Sequence, residues 1–275
     1  MQMPSFPSSF DDEFPSGPDG QHAYVGTNVL RGLITGIDQA LEAHRQERSA
    51  RKDGPVLIGV SPWLTDPELI GKLKELTGAC IVITKQGRSA RDLEQLRDLH
   101  ELNANTRGLP VDAFPDLVQL APHVDDEPVL VGPYDRIVEL VIPTIRTLGF
   151  RRQASKSGHV PLMHAKLALL GDLWWHDEDA LGHVADVTGF RARRLWVSSA
   201  NFTVSSRASL EYGYWTEDPA LLEGMERFLL RLVGASEGLA GADEPAPQFL
   251  PVDYDDEAMR DAMADIEWDE AADDA

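Results

Sequence analysis

His164 and Lys166 stand two residues apart in the stretch Pro161–Leu170, PLMHAKLALL. An imidazole can attack or move a proton near neutral pH, and a lysine two positions on adds a fixed cation. Further along the chain, Ser199-Ala200-Asn201 offers a hydroxyl and an amide, and Glu211 offers a carboxylate. A nucleophile or base, a cation, a polar amide and an acid are the parts of a site in which charge develops during reaction. A single His-x-Lys arises by chance, and a lone histidine is as readily a satisfied core residue. The combination is what carries information.

These residues need strands to bring them together. Read as a strand, Pro161–Leu170 puts His164 and Lys166 on one face, because side chains two apart in a strand point the same way. The strand is expected to run into a turn at Gly171-Asp172. Leu195–Ser198 and Ser209–Trp215 read as two more strands, the first ending in the serine-asparagine segment and the second carrying Glu211. Upstream, Asn28 to about Ser49 has apolar residues at helical spacing (Val29, Leu30, Leu33, Ile34, Ile37, Leu41). Pro55–Val60 reads as a buried strand. Asp66–Leu76 reads as a helix with Asp66 as its cap, Pro67 in the first turn and Gly78 as its stop. Ala79–Thr84 is a second buried strand and Ala90–Asn103 a further helix. This alternation predicts a parallel-type α/β unit. Residues 105–135 hold five prolines and read as a loop-rich connection. Asp135–Leu148 reads as a helix weakened by Pro143, and Pro219–Val233 as an amphipathic helix.

The motif set resembles the phospholipase D superfamily, whose pattern is His-x-Lys, an Asp after four more residues, then Gly-Ser-x-Asn and a downstream acid. His164 and Lys166 match it. Ser199-Ala200-Asn201 matches Ser-x-Asn, with Ser198 where the family has Gly, and Glu211 falls where the acid is expected. The resemblance spans about residues 28–235. Two departures stand out. Gly171 occupies the position of the family Asp, with Asp172 one residue later, so that a shifted turn would have to use Asp172 as the orienting acid. Residues 172–194 exceed the usual connector and read as an inserted loop carrying Trp174 and Trp175, which either cover the core or stack on a ligand. The fold implied is α/β, a phospholipase D-like mixed β-sheet flanked by helices with one motif per chain.

The chemistry implied is phosphodiester cleavage. A histidine nucleophile forms a phosphohistidine and splits one hard displacement into two easier ones. A second imidazole protonates the leaving oxygen. Lys166 and Asn201 hold the non-bridging oxygens, and Glu211 fixes the tautomer and orientation of a histidine. His164-Ala165-Lys166 is the one His-x-Lys in the chain. By analogy with single-motif members of the family, the second copy comes from another subunit, in a C2 homodimer with the site at the interface. His159, His164, His176 and His183, with Asp177 and Asp179, match no zinc spacing, and the chemistry implied calls for neither metal nor cofactor.

Charge bears on the substrate. The 275 residues carry a formal net charge of −21. Residues 1–22 hold four acids and no Lys or Arg, and 237–275 hold 14 acids and one base, whereas 23–236 are near balance at −4. Within that middle part, Leu140 to Gly171 has no acid and holds Arg146, Arg151, Arg152, Lys156 and Lys166. This is either a solvated basic face or an anion-facing surface. Arg193 and Arg194 are likewise phosphate contacts or a solvated edge. The basic stretch and the prominence of nucleases among single-motif members favour a nuclease acting on DNA or RNA. The alternatives are a phospholipase or transphosphatidylase, and a degenerate module that only binds nucleic acid or protein. The segments expected are a disordered 1–22, a phospholipase D-like domain over 23–236 and an acidic tail over 237–275. The tail is either a disordered solubilising arm or a docking helix (Met259, Met263, Ile266), covering its own basic face or binding a protein partner. No run of about 18 apolar residues exists, the first residues lack a secretory pattern, and Cys80 is the one cysteine. A cytoplasmic protein without a membrane anchor is expected.

Overall fold

The computed structural model describes residues 11–14, 22–47, 52–84, 96, 108–118, 123–124, 127–128, 140–148, 163–179, 184–239 and 250–251. In chain order the elements are β1 (Asp12–Phe14), β2 (His22–Gly26), α1 (Leu30–Gln46), β3 (Lys52–Ser61), α2 (Pro67–Glu75) and β4 (Gly78–Thr84). Short pieces follow: β5 (Leu109–Pro110), α3 (Pro115–Val118), β6 (His123–Val124), β7 (Glu127–Pro128), β8 (Leu140–Ile142) and β9 (Ile145–Leu148). The chain continues with β10 (Leu167–Asp179), β11 (Val184–Ser198), β12 (Glu211–Thr216), α4 (Pro219–Gly234), β13 (Glu237–Gly238) and β14 (Leu250–Pro251). Nine strands form one mixed sheet in the order β1-β2-β12-β11-β10-β3-β4-β9-β13. The pairs β3/β4 and β4/β9 are parallel and the others antiparallel.

Strand parity divides the core in two. Leu57, Ile81, Ala168 and Leu170 face α1 and α2, while Val56, Ile58, Cys80, Val82 and Leu169 face α4 and the 109–117 segment. Strand β4 is buried along its whole length, which explains its unbroken apolar sequence. Burial also pushes the Cys80 thiol up to about 12, so it stays protonated. Helix α1 buries Leu30, Leu33, Ile34, Ile37 and Leu41 beside Tyr24, Trp196 and Trp215. The approach is close: a Cβ at Gly36 would stand 2.3 Å from the Trp215 ring, whose indole N–H donates to the Gly32 carbonyl at 2.9 Å. Asp66 caps α2 by accepting from the Leu69 N–H at 2.9 Å. Asp218 caps α4 from the Leu221 N–H at 2.8 Å, and each helix has proline in its first turn.

The structure departs from these expectations at several places. Residues 172–194 contain no inserted loop at their ends: β10 runs on through Gly171-Asp172 with a bulge at Leu170/Gly171 and pairs with β11 as far as Asp179↔Val184. The expected turn is therefore a strand interior. The C-terminal part of the 135–148 segment is two strands rather than a helix, since Ile145 pairs with Ile81 beside β4, Pro143 removes a donor, and Val141, Ile142, Ile145 and Thr147 favour extended backbone. Within 1–22, Asp12–Phe14 is an edge strand on β2. Within 237–275, Glu237–Gly238 and Leu250–Pro251 pair with β9 and β8. The rest of the tail, including the possible helix at Met259, lies outside the described residues. So does the 90–103 helix, except for Leu96, which is fully buried in the core.

Candidate active site

Several strands finish or start at one end of the sheet. Strands β3 and β4 end there at Ser61 and Thr84, paired Ser61↔Ile83 in parallel. Leu167 opens β10 between Val60 and Val197, and Ser198 closes β11 opposite Gly213 near the start of β12. Ligands of α/β sheets gather outside the carboxyl ends of parallel strands, and the residues with chemistry collect there.

Lys166 continues the parity of Ala168 and Leu170, so it lies on the α1 side of the sheet, and its carbonyl accepts the Ser198 N–H at 3.1 Å. It is 5% exposed, whereas His164 is exposed. The Lys166 Nζ sits 2.9 Å from Nδ1 and 3.0 Å from Nε2 of His164, and donates to the His164 carbonyl at 2.9 Å. An ammonium can donate only to a ring nitrogen that carries no proton. Lys166 can therefore donate to at most one of the two ring nitrogens at a time, and the contact holds the cation against the ring. Burial pushes the Lys166 pKa down, and the Glu211 charge pulls it partly back.

Glu211 accepts a short hydrogen bond from the Ser199 hydroxyl. Ser199 is fixed in turn by its N–H on the Tyr212 carbonyl at 2.9 Å and by the Tyr212 N–H on its Oγ at 3.0 Å. Among the described residues, the partners of Glu211 are thus Ser199 and the charge of Lys166, not a histidine ring. The charge of Glu211 opposes the downward shift of the Lys166 pKa. Ser198 plays a separate part. Its hydroxyl donates to the Tyr212 carbonyl at 2.8 Å and accepts the Ala200 N–H at 2.9 Å, closing the turn that a glycine makes in the resembling pattern. Asn201 follows on the loop leaving β11, with its amide oxygen buried and unpartnered.

The structure thus gathers His164, Lys166, Ser199, Asn201 and Glu211 at one sheet end. It does not bring Asp172 there. Six residues past Lys166 in sequence, at about 3.3 Å per residue, Asp172 lies roughly 20 Å along the strand. It is 6% exposed and accepts from Arg193 Nε at 2.9 Å. Arg193 also lies over the Trp174 ring, 5.7 Å from its centroid, so Trp174 packs within the hairpin. Arg194 donates to Gln39 Oε1 at 3.0 Å, pairs with Glu217 at 3.5 Å and sits 4.8 Å over Trp215. Arg193 and Arg194 line a cleft of about 450 Å³ with Asp172 and the C-terminal half of α1, away from His164. Arg146 faces no solvent: it is fully buried, with Nε on Ser236 Oγ at 2.9 Å, and ties β9 to the end of α4. Arg151, Arg152 and Lys156 lie outside the described residues, as do His159 and His183. Among the described residues no three His, Cys, Asp or Glu side chains come together as a metal site, and no helix is long and apolar enough to cross a membrane.

No family model matches the sequence, and no curated protein matches it. Solved structures similar to this chain include NucT and Nuc. NucT from Helicobacter pylori aligns at a TM-score of 0.45 and 11% identity over 79% of this chain and 98% of that one. Nuc from Salmonella typhimurium, a phospholipase D family member, aligns at 0.40 and 14% over 79% of this chain and 97% of that one. Likeness at this level is no argument about chemistry, which rests on the side chains.

Two contributors have no signal in the sequence. Ser61 closes β3 and holds the Phe202 N–H at 3.1 Å, across 141 positions. Arg207 grips Asp66 at 2.5 and 2.8 Å across the same separation. Asp66 is legible in the sequence only as a helix cap.

Proposed function

We propose that this chain is a phosphodiesterase of phospholipase D type acting on nucleic acid, with its site completed by a second copy in a homodimer. The supporting observation is the exposed His164 imidazole held against a buried lysine, an arrangement that presents a ring nitrogen beside a fixed cation. That nitrogen attacks phosphorus, a P–N bond forms, and the P–O bond to the leaving group breaks. The leaving oxygen takes a proton from the imidazolium of His164 of the partner subunit. Water then attacks the phosphohistidine, gives its proton to that same imidazole, and the P–N bond breaks with His164 restored. Lys166 and Asn201 face the non-bridging oxygens, where charge grows in each displacement. Removal of one such donor typically costs about 2.7–4 kcal/mol of barrier. Burial lowers the Lys166 pKa and the Glu211 charge opposes that shift, which favours the ammonium form. The histidine and lysine thus supply the nucleophile and the charge stabilisation, and no step calls for a metal ion. A cytoplasmic location is part of the same reading.

The test is cleavage of labelled DNA and RNA in EDTA by wild type and His164→Ala, beside headgroup release from lipid micelles. Cleavage of nucleic acid that His164→Ala abolishes supports the reading. Release of headgroup with nucleic acid left intact replaces it with a phospholipase, and a salt-dependent mobility shift without cleavage replaces it with a binding module. The shared site has its own measurement: mixed dimers of wild type and His164→Ala are expected to be nearly inactive, and half activity would argue for independent sites.

A further inference from the structure

Asn201 sits between two anchored neighbours. Ala200 is fully buried with its N–H on Ser198 Oγ. Phe202 is 1% exposed, and both of its backbone groups are held by the segment leaving β3. Its N–H donates to Ser61 Oγ at 3.1 Å, and its carbonyl accepts from the Thr65 and Asp66 N–H groups at 2.8 and 3.1 Å. The Ser61 hydroxyl itself donates to the Trp63 carbonyl at 3.0 Å, so its single proton is used and its oxygen is free to accept from Phe202. A second tie closes the far end of the loop. Arg207 reaches both carboxylate oxygens of Asp66, whose side chain is 1% exposed, and its carbonyl accepts the Asn28 N–H at 3.0 Å. The Asn201 amide oxygen, by contrast, is buried without a hydrogen-bond partner.

We propose that Ser61 is a positioning residue for Asn201, fixing its amide through the Phe202 N–H, with the Asp66–Arg207 pair as the second tie of the same loop. This rests on the reading of Asn201 as a donor to the phosphoryl oxygens. With no partner of its own at Oδ1, the amide takes its place from the backbone on either side. Ser198 holds one side from within the same turn, and Ser61 holds the other from a different strand. Without the Ser61 hydroxyl the buried Phe202 N–H has no acceptor, and the loop shifts to find one. A displacement near 1 Å at a reacting centre costs on the order of 100-fold in rate.

The experiment uses the full chain and a fluorescent DNA oligonucleotide, comparing wild type, Ser61→Ala, Asn201→Ala, the double variant and Ser61→Thr. Ser61→Ala is expected to lower kcat about 10- to 100-fold with KM within about twofold. The double variant is expected to match Asn201→Ala within about twofold, because the two act through one group. Ser61→Thr, which keeps the hydroxyl, recovers most of the loss. Multiplied losses in the double variant, or a change confined to KM, overturn the proposal. A second readout needs no activity: the 15N order of the Asn201 side-chain amide, assigned by its absence in Asn201→Ala. Loss of order in Ser61→Ala with other side-chain amides unchanged supports the proposal, and unchanged order overturns it. A wild type that cuts no phosphodiester would sink the functional reading while leaving this second result to decide the positioning. Arg207→Met, at a partly exposed residue, releases the other end of the loop and carries both readouts in the event that Ser61→Ala does not fold.

Discussion

Two stations along strand β10 carry charged side chains and treat them oppositely. At its start, Lys166 is buried beneath an exposed His164, with a carboxylate near enough to act on its charge. Further along, Asp172 accepts from Arg193, Arg194 donates to Gln39 and pairs with Glu217, and each arginine lies over a tryptophan ring. The first station keeps polar capacity in reserve, including the orphaned Asn201 amide oxygen. The second uses that capacity to hold a hairpin against α1. Sites of reaction tolerate incompletely compensated groups because a substrate completes them. Residue type alone cannot tell these stations apart; register and partnership can.

The sharpest way to break this contrast is to remove charge or nucleophile at each station in turn. His164→Ala is expected to lower phosphodiesterase activity by more than about 1,000-fold with little change in melting temperature. Arg193→Ala, in the cleft, is expected to keep kcat/KM within about twofold. Steady-state kinetics on one oligonucleotide, with thermal melts of the same samples, checks both. A large loss of activity in Arg193→Ala at unchanged stability would show that the far cleft takes part in the reaction.

The pH profile sharpens the site end. The Lys166 pKa in the folded chain lies below the ordinary 10.5, chiefly through burial, with Glu211 pulling it back. Activity that depends on the ammonium is full below the lowered pKa and falls as pH rises through it. The alkaline limb should therefore lie below the usual lysine range. Glu211→Gln removes the pull and is expected to move that limb to still lower pH. Folding stability carries the opposite sign: the folded chain binds this proton less tightly than the unfolded one, so the contribution of Lys166 to stability improves as pH rises from the lowered value toward the unfolded one. An alkaline limb that Glu211→Gln leaves in place would separate Glu211 from Lys166.

The site end is the more legible of the two in the sequence. His164, Lys166, Ser199, Asn201 and Glu211 can be chosen by type and spacing, because each needs a specific functional group. Helix α1, strand β3, helix α2 with its Asp66 cap, and strand β4 are legible because each carries its own period or cap. The hairpin is not. Phe190, Ala192 and Leu195 interleave with Arg191, Arg193 and Arg194, but the bulge at Leu170/Gly171 and the Gly171-Asp172 pair read like a turn. Gly171 has another reason to be glycine: a Cβ there would lie 2.4 Å from the Arg191 carbonyl and 2.5 Å from the Phe190 ring. Asp135–Leu148 misleads for a different reason, since short apolar runs fit either period and only the partner strand β4 decides. Ser61 has no signal at all, because its role exists only once Phe202 is brought alongside.

Two substitutions in the hairpin measure how structural the second station is. Gly171→Ala is expected to cost about 1–3 kcal/mol of stability through overpacking against Arg191 and Phe190, read as a lower denaturation midpoint with kcat unchanged. Asp172→Asn has the smaller effect. It keeps the volume and one acceptor oxygen but removes the charge that faces Arg193, whose side chain is 38% exposed and can turn to water. A pair with one partner that exposed is worth less than a fully buried one, and about 1 kcal/mol is the expected loss, with activity held within about twofold. The resembling motif assigns its aspartate an orienting role near the histidine, so the two roles diverge on one measurement. A fall in kcat of tenfold or more in Asp172→Asn, at unchanged stability, would restore Asp172 to the reaction and require a route of coupling along roughly 20 Å of strand. A loss of stability alone leaves it where the geometry puts it, as the counter-charge of Arg193 in the hairpin beside α1.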